Sequence, residues 1–271
     1  MRVPRLVASD VDGTLIDDED QISARTRKVV SALVGEGVPF VLATGRPPRW
    51  IGMVAEQLGH APVAVCANGA VLYDSATDRV ISARTLDADT LAWLGELTRR
   101  ILPGSGLAAE RIGSSAHDAV NPSFVTAPGY EHAWLNPENV EVDEYEVLAQ
   151  PAIKMLVRLP GASSAAMHAA LAPHIGGRAD ITYSTDSGLI ELAAPGITKA
   201  SGLAAVAARH GVVPEDVVAF GDMPNDVPML GWAGRGVAMA NAHPATIAAA
   251  DEVTATNTAD GVARVLERWW G

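Results

Sequence analysis

The sequence predicts an α/β fold in which a doubly wound parallel sheet is interrupted by an inserted α+β domain. Three observations lead to this fold class. Short apolar runs alternate with helical patterns through residues 1–85. The regular alternation is lost over residues 86–189, and it returns over residues 190–271. An insertion into one α/β domain explains this order better than two domains in series.

The first segment is predicted to form strand, helix, strand, helix and strand with short connections. The three strands are RLVAS, VPFVLAT and APVAVCANGA, and the helices between them are SARTRKVVSALVGEG and GRPPRWIGMVAEQLG. In the first helix Val29, Val30, Leu33 and Val34 recur at helical spacing. This alternation is typical of a Rossmann-like parallel sheet with helices on both faces.

The middle segment has the mixed pattern of an α+β unit. A helix in DADTLAWLGELTRRI is followed by an irregular stretch, the strand AIKMLVRL, the helix SSAAMHAALAPHI, and one or two strands in ADITYSTDSGLIELAA. The last segment returns to the first pattern. It contains the helix KASGLAAVAARHG, the strand DVVAFGD, a helix start in NDVPMLGWAG, the short strand GVAMA and the closing helix ADGVARVLERWW.

Net charge, cysteine content and the length of apolar stretches restrict which partners and which cellular location the sequence favours. The net charge of −12 disfavours nucleic acid or an anionic membrane as the main partner, because both repel an acidic surface. The single cysteine, Cys66, excludes an internal disulfide, and its apolar neighbours indicate a buried thiol. The start of the chain, MRVPRLVASD, has no long apolar leader, and no uninterrupted apolar stretch is long enough to span a bilayer. We therefore expect a cytoplasmic protein.

Two aspartates, Asp10 and Asp12, follow the first strand and are followed at once by Gly-Thr. In extended backbone, side chains two positions apart face the same side, so the two carboxylates are expected to converge at the carboxyl end of the strand. Ligands bind at that end of open α/β sheets. Calcium binding is one alternative, but Gly13, Thr14 and Leu15 depart from the EF-hand pattern. A pair that merely caps the turn is another.

Three further segments carry groups suited to phosphate and metal. After the second strand, LATGRP offers the hydroxyl of Thr44 and, at Gly45, a backbone that an anion can approach closely. Lys199 in GITKAS begins a helix, although a lone lysine there is also compatible with a solvated surface charge. A further apolar strand, in VVAFGDMPNDVPML, leads into Asp222, Asn225 and Asp226.

These groups are expected to meet at one edge of the predicted sheet. Two or three carboxylates with few other hard ligands suit a Mg²⁺ ion that keeps several waters. A hydroxyl, free backbone amides and one lysine suit a phosphoryl group. In this interpretation one of the first two carboxylates attacks phosphorus and the other moves the proton.

The motifs together resemble the haloacid dehalogenase (HAD) superfamily of phosphatases, specifically its Cof-type branch with a large C2-type cap. The four superfamily motifs appear in order as DVDGT, the threonine of LATGR, the lysine of GITKAS, and GDMPND. The details DGTLIDDEDQIS, CANGA and GDMPNDVPML match the branch too. The resemblance implies a HAD-like core over residues 1–85 and 190–271 with the cap over 86–189. One departure, TKA where SKG is usual, keeps the lysine in place.

The resemblance also implies catalytic and metal-binding roles. Asp10 is expected to be the nucleophile that forms an aspartyl-phosphate. Asp12 is expected to protonate the leaving alkoxide and then to activate the hydrolytic water. Mg²⁺ is expected to be held by Asp10, the backbone carbonyl of Asp12 and Asp222, with support from Asp226.

The remaining motif positions are expected to bind the phosphoryl group or the leaving group. Thr44 and the amide of Gly45 would hold the transferring oxygens, and Lys199 would neutralise charge on nucleophile and phosphate. Asn225 would orient Lys199 or the phosphate. Candidate contacts of the leaving group, or plain turn residues, are Arg46, Asn68 and Gly69.

The expected function is Mg²⁺-dependent hydrolysis of small phosphate monoesters, either sugar phosphates or cofactor phosphates, with a small phosphorylated metabolite as partner. The cap is expected to exclude water and to select the leaving group. Two alternatives remain open: a phosphosugar mutase, and a catalytically silent regulator that binds a phosphometabolite. Dehalogenation needs no magnesium, so the pairing of Asp222 with Asp226 counts against it. Both a monomer and a homodimer are compatible with the sequence.

Overall fold

The computed structural model describes residues 2–118, 122–134 and 136–271 of the chain. They divide into two compact units. The first unit joins two segments of sequence, Met1–Ser82 and Thr198–Gly271, and the second is the intervening Ala83–Ile197. The predicted fold class, a Rossmann-like α/β core with an inserted α+β unit, is confirmed.

The regular elements are numbered here in chain order. The strands are β1 (Leu6–Ser9), β2 (Phe40–Ala43), β3 (Val63–Cys66), β4 (Val71–Asp74), β5 (Arg79–Ala83), β6 (Gly106–Glu110), β7 (Phe124–Thr126), β8 (Asn139–Glu141), β9 (Lys154–Arg158), β10 (Asp180–Thr182), β11 (Leu189–Ala193), β12 (Val217–Gly221), β13 (Arg235–Ala238) and β14 (Glu252–Val253). The α-helices are α1 (Ala24–Gly35), α2 (Ile51–Leu58), α3 (Ala88–Ile101), α4 (Glu144–Leu148), α5 (Ser164–Ile175), α6 (Lys199–Arg209), α7 (Val227–Trp232), α8 (Pro244–Ala249) and α9 (Gly261–Trp270).

The first unit is organised around a sheet with the strand order β14-β13-β12-β1-β2-β3-β4-β5. Its central pairs are parallel, from β14 through β13, β12, β1 and β2 to β3. Strand β4 pairs antiparallel with β3. The strands β1, β2 and β12 are buried along their whole length, as their continuous Val/Leu/Ala/Phe content predicts for a sheet covered on both faces. Parallel pairing brings their carboxyl ends to the same edge.

The second unit contains a separate sheet with the strand order β10-β11-β9-β6-β7-β8. Its pairs are antiparallel except for β7 with β8. Helices α3 and α5 pack together, and α3 also packs against α4. Strand β11 begins at Leu189, the expected end of the inserted segment, and it pairs with β9, so the second unit runs on to Ile197.

Helix ends follow ordinary capping chemistry. The hydroxyl of Ser23 accepts a hydrogen bond from the backbone N–H of Thr26 at the start of α1, which satisfies one of the unpaired amides of the first turn. Gly59 ends α2 in the left-handed conformation at φ 65°. Among the described residues no helix combines the length and apolar character needed to cross a bilayer.

Candidate active site

The site is built where strands β1 and β12 end side by side. The two strands are paired in register from Leu6 with Val217 to Ser9 with Phe220. Asp10 directly follows β1, and its backbone N–H still donates to the carbonyl of Phe220 at 3.0 Å. Asp222 directly follows β12. The register continues from Ser9 with Phe220 to Asp10 beside Gly221, one residue before Asp222, so the two aspartates leave their strands at the same edge.

Three buried carboxylates meet at this edge. One carboxylate oxygen from each of Asp10, Asp222 and Asp226 lies within 4.8 Å of the others. Asp226 is supplied by a short 3₁₀ turn, Pro224–Asp226, that follows β12. Burying three like charges is unfavourable unless cations balance them.

The amine of Lys199 supplies one such cation. Its Nζ lies 2.6 Å from Asp10 Oδ1 and 2.6 Å from Asp226 Oδ1, and the side chain is only 1% exposed. Lys199 is the first residue of α6, whose start is fixed by a capping box between Thr198 and Ser201. A rigid helix start thus delivers the lysine, and its interpretation as a solvated surface charge is wrong.

Both oxygens of Asp226 are occupied by N–H donors. Oδ1 accepts from Lys199, and Oδ2 accepts from the backbone N–H groups of Asp222 and Met223 at 3.0 Å each. Asp226 therefore orders the lysine and the turn after β12. Asp10 and Asp222 are the carboxylates of this cluster that have oxygens left for a cation.

Burial and mutual repulsion set the protonation of the cluster. Burial raises the pKa of Asp10 well above its ordinary value, although Lys199 opposes the rise. Burial, with repulsion from Asp226, raises the pKa of Asp222 to about 6. Burial works against the charged form of Lys199, but the carboxylates of Asp10 and Asp226 outweigh it and raise its pKa. Lys199 therefore stays protonated, but its single positive charge does not balance three ionised carboxylates, and this surplus of negative charge is part of what raises the pKa values of Asp10 and Asp222.

This surplus fits a hard divalent cation. The atoms of the cluster that could bind such an ion are carboxylate oxygens, which are the ligands that hard divalent cations prefer. The backbone also leaves room for the Asp222 carboxylate: a Cβ on Gly13, whose φ is 71°, would lie 2.3 Å from Asp222 Oδ2. The Thr14 hydroxyl donates to Asp222 Oδ1 at 3.1 Å and orients that carboxylate.

The loop after β2 brings Thr44 to the same edge. Its hydroxyl is buried and accepts from the backbone N–H of Arg46 at 3.0 Å. The carbonyls of Thr44 and Arg46 accept from the backbone N–H groups of Asn68 and Ala67, both at 3.0 Å. The turn Ala67–Gly69 thereby holds the loop that carries the threonine and Gly45.

The amides of Asn68 and Asn225 are hydrogen-bonded to each other. Nδ2 of Asn225 donates to Oδ1 of Asn68 at 3.0 Å, and both side chains are buried. A Cβ on Gly45 would lie 3.4 Å from Asn68 Oδ1, so this amide also borders the loop after β2. Asn68 and Asn225, 157 positions apart in sequence, are thus brought together.

Asp12 does not join Asp10, contrary to the expected convergence. Its side chain is 57% exposed, and Arg46 binds it through Nη2 at 2.6 Å and Nε at 3.0 Å. Nη2 of Arg46 also reaches Asp20 Oδ1 at 3.2 Å. The physical reason is that β1 ends at Ser9 and the chain bends over the next residues, so the two-residue alternation of extended backbone no longer applies.

Some contacts in the structure were not foreseen from the sequence. Thr14 belongs to the DVDGT motif, and that motif could have identified it. Asp20, which pairs with Arg46, lies in the quoted segment DGTLIDDEDQIS, but nothing in that segment distinguishes it from the neighbouring acids. A second buried ion pair, Lys154 Nζ to Glu191 Oε1 at 2.5 Å, lies within the second unit, where IKMLVRL was read simply as a strand.

Comparison with known proteins supports an enzyme of phosphate chemistry. The model of the haloacid dehalogenase-like hydrolases matches residues 7–266. Two 5-amino-6-(5-phospho-D-ribitylamino)uracil phosphatases of Bacillus subtilis (strain 168) are similar along their whole length. One is 30% identical over 98% of this chain and 95% of its own, and the other is 31% identical over 98% of each.

A solved structure agrees with the fold. The crystal structure of a haloacid dehalogenase-like hydrolase from Bacteroides thetaiotaomicron is 26% identical in sequence and superimposes with a TM-score of 0.75. The match covers 98% of this chain and 99% of that one.

Proposed function

The chain belongs to the haloacid dehalogenase-like hydrolases and is a phosphatase of phosphate monoesters, and we propose that it uses Mg²⁺ and an aspartyl-phosphate on Asp10. The observation that carries the proposal is the buried pair of Asp10 Oδ1 and Lys199 Nζ, 2.6 Å apart, beside Asp222. A nucleophilic carboxylate must approach an anionic phosphoryl group, and a fixed cation beside it reduces their repulsion.

In the first step an oxygen of Asp10 attacks phosphorus, and the bond from phosphorus to the ester oxygen breaks. Asp12 gives its proton to the departing alkoxide, which leaves as an alcohol. In the second step Asp12 takes a proton from water as the water oxygen attacks phosphorus. Asp10 is regenerated and inorganic phosphate is released.

The exposed position of Asp12 suits a residue that exchanges protons. Its carboxylate lies at the end of the Arg46 side chain, outside the buried cluster. We assign Arg46 the role of holding Asp12 before substrate binds. Thr44, the amide of Gly45 and Asn225 are assigned to the oxygens of the transferring phosphoryl group.

Asp10 and Asp222, with the backbone carbonyl of Asp12, are the proposed ligands of Mg²⁺. When bound, the ion would act as a Lewis acid toward the phosphoryl oxygens. Asp226 is left out of this ligand set because N–H donors already occupy both of its oxygens.

The proposed substrates are small phosphate monoesters of sugars, sugar alcohols or cofactors. The names of the two Bacillus relatives support a primary phosphate on a ribityl chain as the first compound to test. A panel of that compound, hexose phosphates, pyridoxal phosphate and FMN, compared by kcat/KM with Mg²⁺ present, tests the proposal. A site that forms hydrogen bonds to one particular leaving group should give that ester a kcat/KM higher by orders of magnitude.

The nucleophile is tested by Asp10→Asn, which should abolish release of phosphate from every ester while the protein stays folded. Asp18→Asn is the matched control, because Asp18 is an exposed acid on the following loop. Substantial turnover by Asp10→Asn would overturn the nucleophile assignment. Transfer of phosphate to a bisphosphate acceptor would favour the mutase alternative, and binding of an ester with no turnover by the unaltered protein would favour the silent regulator.

A further inference from the structure

The turn Ala67–Gly69 has an unusual backbone for buried residues. Three consecutive residues have positive φ: Ala67 at 48°, Asn68 at 56° and Gly69 at 108°. Elsewhere among the described residues, the non-glycine positions with positive φ are all aspartates, Asp20, Asp78 and Asp260. A buried alanine in the left-handed region persists only where its surroundings enforce it, and such strain concentrates at functional sites.

The surroundings that enforce it belong to the proposed phosphate site. The N–H groups of Ala67 and Asn68 donate to the carbonyls of Arg46 and Thr44. On the other side, a Cβ on Gly69 would lie 2.1 Å from the carbonyl oxygen of Thr198, the residue before Lys199. The turn therefore contacts both the loop that carries Thr44 and the start of helix α6.

The side chain of Asn68 adds a third connection, to Asn225. An amide has two N–H donors and one carbonyl acceptor, and one donor of Asn225 is already given to Asn68 Oδ1. The carbonyl Oδ1 of Asn225 is buried and has no hydrogen-bond partner among the described residues. An unpartnered polar atom in a buried side chain calls for an explanation. The carbonyl could accept only from a donor, whereas the second N–H of the Asn225 amide is the group that can donate to a phosphoryl oxygen.

We propose that Asn68 is a positioning residue for phosphate binding: its Oδ1 fixes the amide of Asn225 so that the second N–H faces the transferring phosphoryl group. This inference rests on the proposed function for the assignment of Asn225. It replaces the expectation that Asn68 contacts the leaving group. The left-handed turn is what places Oδ1 within 3.0 Å of Asn225 Nδ2.

The test uses Asn68→Gly, Asn225→Ala and the double variant, each loaded with Mg²⁺. Glycine accepts the φ of position 68, so this change deletes the side chain and spares the turn. The matched control is Asp260→Gly, another left-handed residue, located before helix α9. The measurements are the dissociation constant of inorganic phosphate by calorimetry, kcat/KM for p-nitrophenyl phosphate and for ribose 5-phosphate, and the thermal midpoint.

We expect Asn68→Gly to weaken phosphate binding about tenfold, the effect of one lost hydrogen bond. It should lower kcat/KM by the same factor for both esters, and the double variant should be no worse than Asn225→Ala. Asp260→Gly should leave phosphate binding unchanged.

Three results would overturn the inference while the proposed function stands. They are multiplied losses in the double variant, a loss confined to one leaving group, and phosphate binding by Asn68→Gly equal to that of the unaltered protein. If no ester is hydrolysed but the two single variants and the double variant weaken phosphate binding equally, the proposed function fails and the role of Asn68 stands.

Discussion

Replacing Lys199 with methionine should destabilise the protein strongly, because it removes the cation from a buried cluster of carboxylates. Methionine is chosen because it fills nearly the same volume as the lysine side chain. The amine is 1% exposed and lies 2.6 Å from a carboxylate oxygen of each of Asp10 and Asp226. At an effective dielectric constant of about 20, each such contact is worth on the order of 6 kcal/mol of attraction. The cost of desolvating the charges offsets most of it.

The net effect follows from what remains after the substitution. Breaking a buried ion pair by removing one partner costs about 3–5 kcal/mol, because an uncompensated charge stays inside. In Lys199→Met the carboxylates of Asp10 and Asp226 would both lose their partner. We therefore expect a loss of at least about 3 kcal/mol in the free energy of unfolding at pH 8.

The loss should shrink in acid. Burial already raises the pKa of Asp10, and removing Lys199 would raise it further because the amine opposes the rise. A carboxyl whose pKa is higher in the folded state than in the unfolded state binds more protons when the protein is folded. Lowering the pH therefore shifts the free energy of unfolding in favour of the folded state at that group. The deficit of Lys199→Met should accordingly be smaller at pH 5 than at pH 8.

Urea unfolding followed by tryptophan fluorescence, with EDTA present, measures the loss in the free energy of unfolding at pH 8 and its change between pH 8 and pH 5. Lys28→Met is the matched control, since Lys28 is exposed on helix α1 and should change stability by less than about 0.5 kcal/mol. If Lys199→Met were as stable as this control at pH 8, or if its deficit did not vary with pH, the electrostatic account of the cluster would be refuted.

Three further perturbations address other parts of the site. Asp12→Ala should lower kcat by about 10²–10⁴-fold with every ester, and a loss below about tenfold in steady-state assays would mean that another group moves the proton. The apparent affinity for Mg²⁺ should fall by at least about tenfold per pH unit below pH 6, because burial raises the pKa of Asp222 to about 6, raises that of Asp10 as well, and a protonated carboxyl is a poor ligand. Calorimetry showing constant affinity from pH 7.5 to pH 5 would contradict this. Gly69→Ala should lower the thermal midpoint more than Gly37→Ala does. Both glycines have positive φ, but of the two only Gly69 would bring a Cβ within 4 Å of another atom. Equal thermal midpoints for the two variants would disprove the clash.

The central strands and most of the site could be predicted because one pattern recurs. RLVAS is followed directly by Asp10, DVVAFGD ends in Asp222, and the structure forms β1 and β12 from these two short apolar runs. Parallel neighbours end at the same edge, so the meeting of Asp10 and Asp222 follows from pattern and topology together. Lys199 follows in the same way from the start of α6.

Other elements were not predictable because local sequence does not determine them. The run APVAVCANGA was read as one strand, but β3 ends at Cys66 and a left-handed turn at Ala67 reverses the chain into the antiparallel β4. Alanine carries no signal for positive φ. The strands β6, β7 and β8 pair across long separations in sequence, and their short segments showed no regular period.

The orientation of Asp12 depends on a contact that spacing cannot reveal. Arg46 lies 34 positions away, and its guanidinium reaches Asp12 only because β1 and β2 are neighbours in the sheet. Side-chain alternation along β1 therefore gave the wrong expectation, whereas the strand order explains the observed partner.

The boundary between the two units has a practical consequence for building chimeric enzymes. The chain leaves the inserted unit at Ile197, and the very next residue, Thr198, caps the helix that begins with Lys199. A graft that exchanged the insert between relatives would have no spacer at this return junction, so a misplaced splice would dislodge the lysine itself. The outgoing junction, between Ser82 and Ala83, falls inside β5, the last strand in the sheet order, so a graft at that point would have to keep β5 intact.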